Sequence, residues 1–130
     1  MYKSITPNLM VENVDKAIDF YKEILDFSVI ASVPGAKDEL QFAILSHDGI
    51  MLMIQEKNSI TAEYPILDTP KICPSISLYI IVDNFQELYE TISKKCSIYS
   101  QPHTTPYGAE EFAITDIDGY VITFAKQQDN

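Results

Sequence analysis

Two histidines, His47 and His103, and two cysteines, Cys73 and Cys96, are the only imidazoles and thiols in this chain of 130 residues. Thiol–imidazole catalysis would need a Cys and a His folded together, and no C-x-x-C pair is present, so the thiols read as plain reduced cysteines. Carboxylates gather at Glu110-Glu111 and at Asp116 and Asp118, and Glu56 ends an apolar run. Asp116-x-Asp118-Gly119 has the opening of a calcium loop but lacks its remaining oxygen ligands. Asp-Gly is itself a turn signal, which accounts for Asp118-Gly119 and for Asp48-Gly49. His47, beside Asp48, reads as a solvated turn residue. His103 lies in the loop QPHTTPYG, where an imidazole can contact a ligand or relay a proton.

Charge and composition narrow the partners. A formal net charge of −10 with only nine Lys plus Arg provides no basic footprint for nucleic acid or an anionic membrane. It leaves room for a cationic ligand, or for simple solubility. With 46% hydrophobic and 22% charged residues the composition is that of a globular protein, one domain or two half-size units sharing a core. No run approaches a signal peptide or a membrane span, so a cytoplasmic protein is expected.

The elements that would position these residues occur twice. Residues 5–11 read as a strand, and Asn13 opens a helix with Ala17, Ile18, Tyr21, Ile24 and Leu25 at helical spacing. Residues 27–33, 40–45 and 50–55 read as strands, the last two joined through Asp48-Gly49. Residues 75–82 then form a strand, and Asn84 with Glu87 caps a helix whose face is Phe85, Leu88, Tyr89 and Ile92. A short strand at 97–100, a loop with Pro102, Pro106 and Gly108, and a final hairpin complete the copy. Val11-Glu12-Asn13 matches Val82-Asp83-Asn84 at an offset of 71, while Phe42-Ala43-Ile44 and Asp48-Gly49 match Phe112-Ala113-Ile114 and Asp118-Gly119 at 70. The spacing predicts an α+β fold of two βαβββ modules, 1–57 and 75–130, joined by a semi-rigid connector 58–74 holding Pro65, Pro70 and Pro74.

Leu9, Val11-Glu12-Asn13-Val14, Ile18-Asp19-Phe20-Tyr21 and Leu25-Asp26-Phe27 form one part of a wider pattern. Pro106-Tyr107-Gly108, Glu111-Phe112 and Asp116-Ile117-Asp118-Gly119-Tyr120 form the other. Together they resemble the vicinal oxygen chelate superfamily, which contains glyoxalase I, bleomycin-resistance proteins and extradiol dioxygenases. The resemblance implies two modules in pseudo-two-fold repeat whose mixed sheets curl into a cup around a ligand cleft between them. In metal-using members the ligands come from the first and last strands of each module, which here puts Thr6, Met53, Ser77 and Thr123 at those positions. Neutral hydroxyls and a thioether supply neither imidazole nor carboxylate, so no metal and no cofactor are expected.

Strand alternation then sorts the lining of the cup. Thr6, Asn8, Met10, Met51, Met53 and Gln55 are expected on it from the first module. Ser77, Tyr79, Val121 and Thr123 come from the second, with Gln41 and Glu111 entering before the turns and His103 and Tyr107 at the rim. Adaptable methionines with a few polar anchors suit a small-molecule pocket. The expected function is therefore a cytoplasmic, metal-free binding protein resembling the bleomycin-resistance group, a homodimer open to module exchange, that sequesters a hydrophobic or cationic aromatic compound. The alternative is an enzyme of the same fold, lactoylglutathione lyase-like, an isomerase or a dioxygenase, built on Glu56, His103, Glu111 and Tyr107.

Overall fold

In the computed structural model of the chain, which describes residues 1–128, the first helix begins at its expected cap. The Asn13 side chain accepts a hydrogen bond from the Lys16 amide at 2.9 Å and opens α1, Val14–Leu25. Val14, Ala17, Phe20, Tyr21 and Leu25 are buried along one stripe. The helix ends with Asp26 in the left-handed conformation, its amide bonded to the Lys22 carbonyl while the Phe27 amide reaches the Tyr21 carbonyl. The bond from the left-handed residue back to the Lys22 carbonyl is that of an αL closure, with Asp where Gly is commoner.

The chain divides into two units, Met1–Ile72 and Cys73–Asn130. In the first, β1 (Asn8–Val11), β2 (Ser28–Pro34), β3 (Leu40–His47) and β4 (Ile50–Glu56) form one mixed sheet of order β1-β4-β3-β2. β1 runs parallel to β4 and the other pairs are antiparallel. Leu9, Val11, Ala43, Leu45, Leu52 and Ile54 are buried on the face that packs α1. Asp48 and Gly49 both have positive φ, as a two-residue hairpin turn requires.

The connector departs from the sequence expectation. It forms a second helix, α2 (Lys57–Glu63), then a 3-10 turn at Pro65–Leu67, and both belong to the first unit. Glu56 caps α2, its carboxylate accepting from the amides of Asn58 (2.7 Å) and Ser59 (3.2 Å), and buried Ile60 anchors it. Glutamate is not among the favoured capping residues, so the start was not visible.

The second unit repeats the order: β5 (Ser77–Val82), α3 (Phe85–Ser93), β6 (Ser100–Thr104), β7 (Glu110–Thr115) and β8 (Val121–Lys126), with sheet order β5-β8-β7-β6. Phe112 is fully buried among Phe85, Tyr89 and Phe124, ring centroids 5.0–5.4 Å apart. Two expectations need correction. Asn84 precedes α3 without a side-chain capping bond, so the capping box with Glu87 does not form. The strand expected at 97–100 lies at Ser100–Thr104, because amides of Lys95 and Cys96 still bond the Ile92 carbonyl at the helix end. β6 is an edge strand with a register break between Ser100 and His103, and such an edge tolerates Pro102.

Candidate functional site

In the second unit β7 is buried on both faces: Phe112 and Ile114 enter the α3 core, which turns Glu111 onto the opposite sheet face. There Glu111 Oε2 accepts hydrogen bonds from both Tyr79 Oη and Tyr107 Oη at 2.5 Å. Tyr79 comes from β5, two strands away, and reaches across β8 because the residue opposite Glu111 is the small Ala125. Tyr107 is folded back by a tight turn in which Thr105 Oγ1 accepts from the Ala109 amide at 3.1 Å, the Thr105 amide donates to the Ala109 carbonyl at 2.8 Å, and Gly108, at φ +84°, donates its amide to the Thr105 carbonyl at 2.9 Å. Glu111 is only 7% exposed, whereas Tyr79 and Tyr107 are 51% and 68% exposed.

The electrostatics follow from that geometry. The Tyr107 and Tyr79 hydroxyls, and more weakly His103, hold the Glu111 carboxyl below its ordinary range against the opposing effect of burial. The same carboxylate pushes the Tyr79 phenol well above its ordinary value. His103 sits in β6 opposite Glu111, and its Nδ1–H donates to the Gln101 carbonyl at 2.8 Å. It is thus a strand residue, not the loop residue its flanking prolines suggest. A carboxylate held ionised between protonated phenols is suited to a cation, and weakened as a general base. Tyr79, Tyr107, Ile81, Ala109 and Ala125 line a concavity of about 410 Å³ beside it, together with Lys126, whose ammonium pairs with Glu110 at 3.5 Å.

The first unit collects a different set. Asn8 Nδ2 donates to Gln55 Oε1 at 2.9 Å, and Gln55 Nε2 donates to Ser59 Oγ at 3.0 Å and Glu63 Oε1 at 3.1 Å. These residues with Val33, Gln41, Phe42 and Tyr64 line a concavity of about 450 Å³. Gln41 faces no paired residue: Leu40 pairs Pro34 and Phe42 pairs Val33, so Gln41 is the extra residue of a β-bulge and lies beside Phe42. Met10, Met51 and Met53 share the face opposite α1 with Asn8 and Gln55, as the register Asn8↔Met53 and Met10↔Gln55 dictates. Ser59, Glu63 and Tyr64 have no counterpart in the expected lining, since only α2 brings them there.

Of the residues that the resemblance assigns to ligand positions, Thr6 precedes β1 and Met53 lies in β4, while Ser77 pairs Val121 and Thr123 follows in β8. Two hydroxyls with a thioether, and a third hydroxyl, do not fit a divalent ion that needs imidazole or carboxylate donors. Among the described residues no three His, Cys, Asp or Glu side chains group to hold a metal. Asp116 is spent on its turn, Oδ1 accepting from the amides of Asp118 (2.9 Å) and Tyr120 (3.0 Å). His47 is structural, its Nδ1–H donating to the Asp26 carbonyl at 2.9 Å behind α1, with the ring against Phe27. Glu56 is engaged in capping α2.

The profile of the Glyoxalase/Bleomycin resistance protein/Dioxygenase superfamily matches residues 4–124, and the chain belongs to that superfamily. A comparison with curated proteins returns no match. Among solved structures the chain is similar to a glyoxalase-related enzyme from Fulvimarina pelagi (15% identity, TM-score 0.78, covering 98% of this chain and 89% of that one). It is similar to TioX from Micromonospora sp. ML1 (15%, TM-score 0.72, covering 98% and 100%). It is also similar to a bleomycin-binding protein complexed with bleomycin (22%, TM-score 0.68, covering 98% and 100%). At these identities the likeness establishes the fold of two βαβββ modules. Among the described residues no helix is long and apolar enough to cross a membrane.

Proposed function

We propose that the chain is a small-molecule binding protein of this superfamily that works without a metal at Thr6, Met53, Ser77 and Thr123. It sequesters a cationic aromatic compound on the open sheet face of the second unit. One observation carries this reading: the ionised Glu111 carboxylate, buried between the exposed rings of Tyr79 and Tyr107. The carboxylate attracts the cation, and the tyrosine faces offer cation–π and stacking contact to its aromatic body. The likeness to a bleomycin-binding protein supports a binding role for this fold. A proton-transfer enzyme is less well supported, since Glu111 is depressed and Tyr79 raised, away from the pH at which each would exchange a proton. In the same reading the protein is a cytoplasmic homodimer, which sedimentation velocity checks.

Thermal-shift and calorimetric titration with phenyltrimethylammonium test the proposal. Binding is expected, with Glu111→Gln weakening it by about tenfold, the scale of losing one charge-assisted partner. No stabilisation by any aromatic cation, with stabilisation by Zn²⁺, Ni²⁺ or Mn²⁺ instead, would overturn it.

A further inference from the structure

We infer that the first unit holds a ligand site of its own, which takes a planar cation bearing N–H donors, an amidinium or guanidinium, on Glu63, Asn8 and Gln41. The inference does not rest on the Glu111 reading. Its centre is Gln55, 7% exposed on β4. Both of its amide hydrogens are used, on Ser59 Oγ and Glu63 Oε1, and its oxygen accepts from Asn8. A buried amide with these three bonds has one orientation, so it fixes the side chains around it rather than adapting to a ligand.

What it fixes is a set of acceptors. Asn8 has its Nδ2 turned to Gln55, which leaves Oδ1 as its outward group. Glu63 is held by one oxygen, leaving the second for a ligand. The bulge at Gln41 sets a further amide beside Phe42, on the same concavity. Phe42, Val33 and Tyr64 supply flat and apolar walls. Among the described residues that line it, Glu63 alone carries a formal charge, so the site is anionic. A carboxylate with amide oxygens around it matches the forked donors of an amidinium or guanidinium, which can meet carboxylate and carbonyl oxygens in one plane. A quaternary ammonium has no N–H and forfeits these contacts.

The arrangement is also the repeat counterpart of the Glu111 site. Asn8 pairs Met53 as Tyr79 pairs Thr123, and Phe42 pairs Gln55 as Glu111 pairs Ala125. The same end of each sheet therefore carries a concavity built around one buried polar side chain, Gln55 on β4 in one unit and Glu111 on β7 in the other. The surrounding residues differ, phenols in the second unit and amides with a carboxylate in the first, and so do the cations they fit.

The test is a ¹⁵N-resolved NMR titration of the whole protein with benzamidine, and separately with phenyltrimethylammonium. Benzamidine is expected to shift the amides of Asn8, Gln41 and Gln55 in a saturable way, and phenyltrimethylammonium to leave them in place. Glu63→Gln, at an exposed position, should raise the benzamidine Kd read at those amides by about fivefold or more, as loss of a charge-assisted fork would. Gln55→Leu should raise it as well while the spectrum remains that of a folded chain. Benzamidine shifts confined to residues around Glu111, no saturable shift, or a Kd unchanged by Glu63→Gln would each overturn the inference. Failure of phenyltrimethylammonium to bind at all would count against the Glu111 reading alone.

Discussion

A carboxylate that accepts two phenolic hydrogen bonds is a poor base and a persistent anion. At Glu111 the larger of the two effects comes from Tyr107 and the smaller from Tyr79. Tyr107→Phe should therefore raise the Glu111 pKa toward the ordinary carboxylate value, and Tyr79→Phe should raise it less, both followed by carboxyl ¹³C NMR. The linkage has a definite sign. A depressed native pKa contributes stability that is present above the unfolded value, about 4.3 for Glu, and is lost as pH falls through the native value. Wild type should exceed Tyr107→Phe in stability near neutral pH, and the gap should close in acid. An equal gap at pH 7 and pH 2 would refute the assignment. Of this trio, Glu111 and Tyr107 lie four residues apart and are visible together in the sequence. Tyr79 lies 32 residues away, and its arrival depends on strand order and on Ala125 being small. His47, expected as a solvated turn residue, is the last residue of β3, and its bond to the Asp26 carbonyl depends on a helix end 21 residues earlier.

At the scale of elements, the repeat itself conceals a difference. Phe42-Ala43-Ile44 and Phe112-Ala113-Ile114 align at an offset of 70, with their Asp-Gly turns in register. In the sheets, however, Phe42 pairs Gln55 and it is Glu111, not Phe112, that pairs Ala125. The β3–β4 turn has two residues between His47 and Ile50, whereas the β7–β8 turn has five between Thr115 and Val121, which slips the third strand of one unit by one residue against the other. A slip of one exchanges the faces. Phe112 is consequently core, while Phe42 is half-buried on the face opposite α1. Phe112→Ala should cost about 3–5 kcal/mol, and Phe42→Ala clearly less, by denaturant unfolding. Equal costs would mean the identical tripeptides share one environment after all. The strands other than β6, both long helices and the Asp-Gly hairpins were legible because apolar periodicity and Asp-Gly report local conformation. α2 was not, because its cap is a glutamate, and Ser59, Glu63 and Tyr64 were missed along with it.

At the scale of the whole molecule, the repeated βαβββ order was legible, whereas the four ligand positions are what the family resemblance implies, and the two answer different questions. The fold needs only apolar alternation and turns, which Thr, Met and Ser can serve as well as His or Glu. A metal needs particular donors, and Thr6, Met53, Ser77 and Thr123 have none with charge or imidazole nitrogen. Scaffold and metal site can therefore diverge without cost to each other, and among the described residues the carboxylates form no group of three with one another or with His or Cys that could hold a divalent ion. Such carboxylates bind weakly and wash out, so elemental analysis of protein purified without chelator should find Zn, Ni, Mn and Fe well below one per chain. Thermal unfolding with and without EDTA should coincide, because binding that does not favour the native state adds nothing to its stability. A stoichiometric metal, or a lower Tm in EDTA, would show that donors outside these four positions assemble a site, and would return the protein to the enzymes of its superfamily.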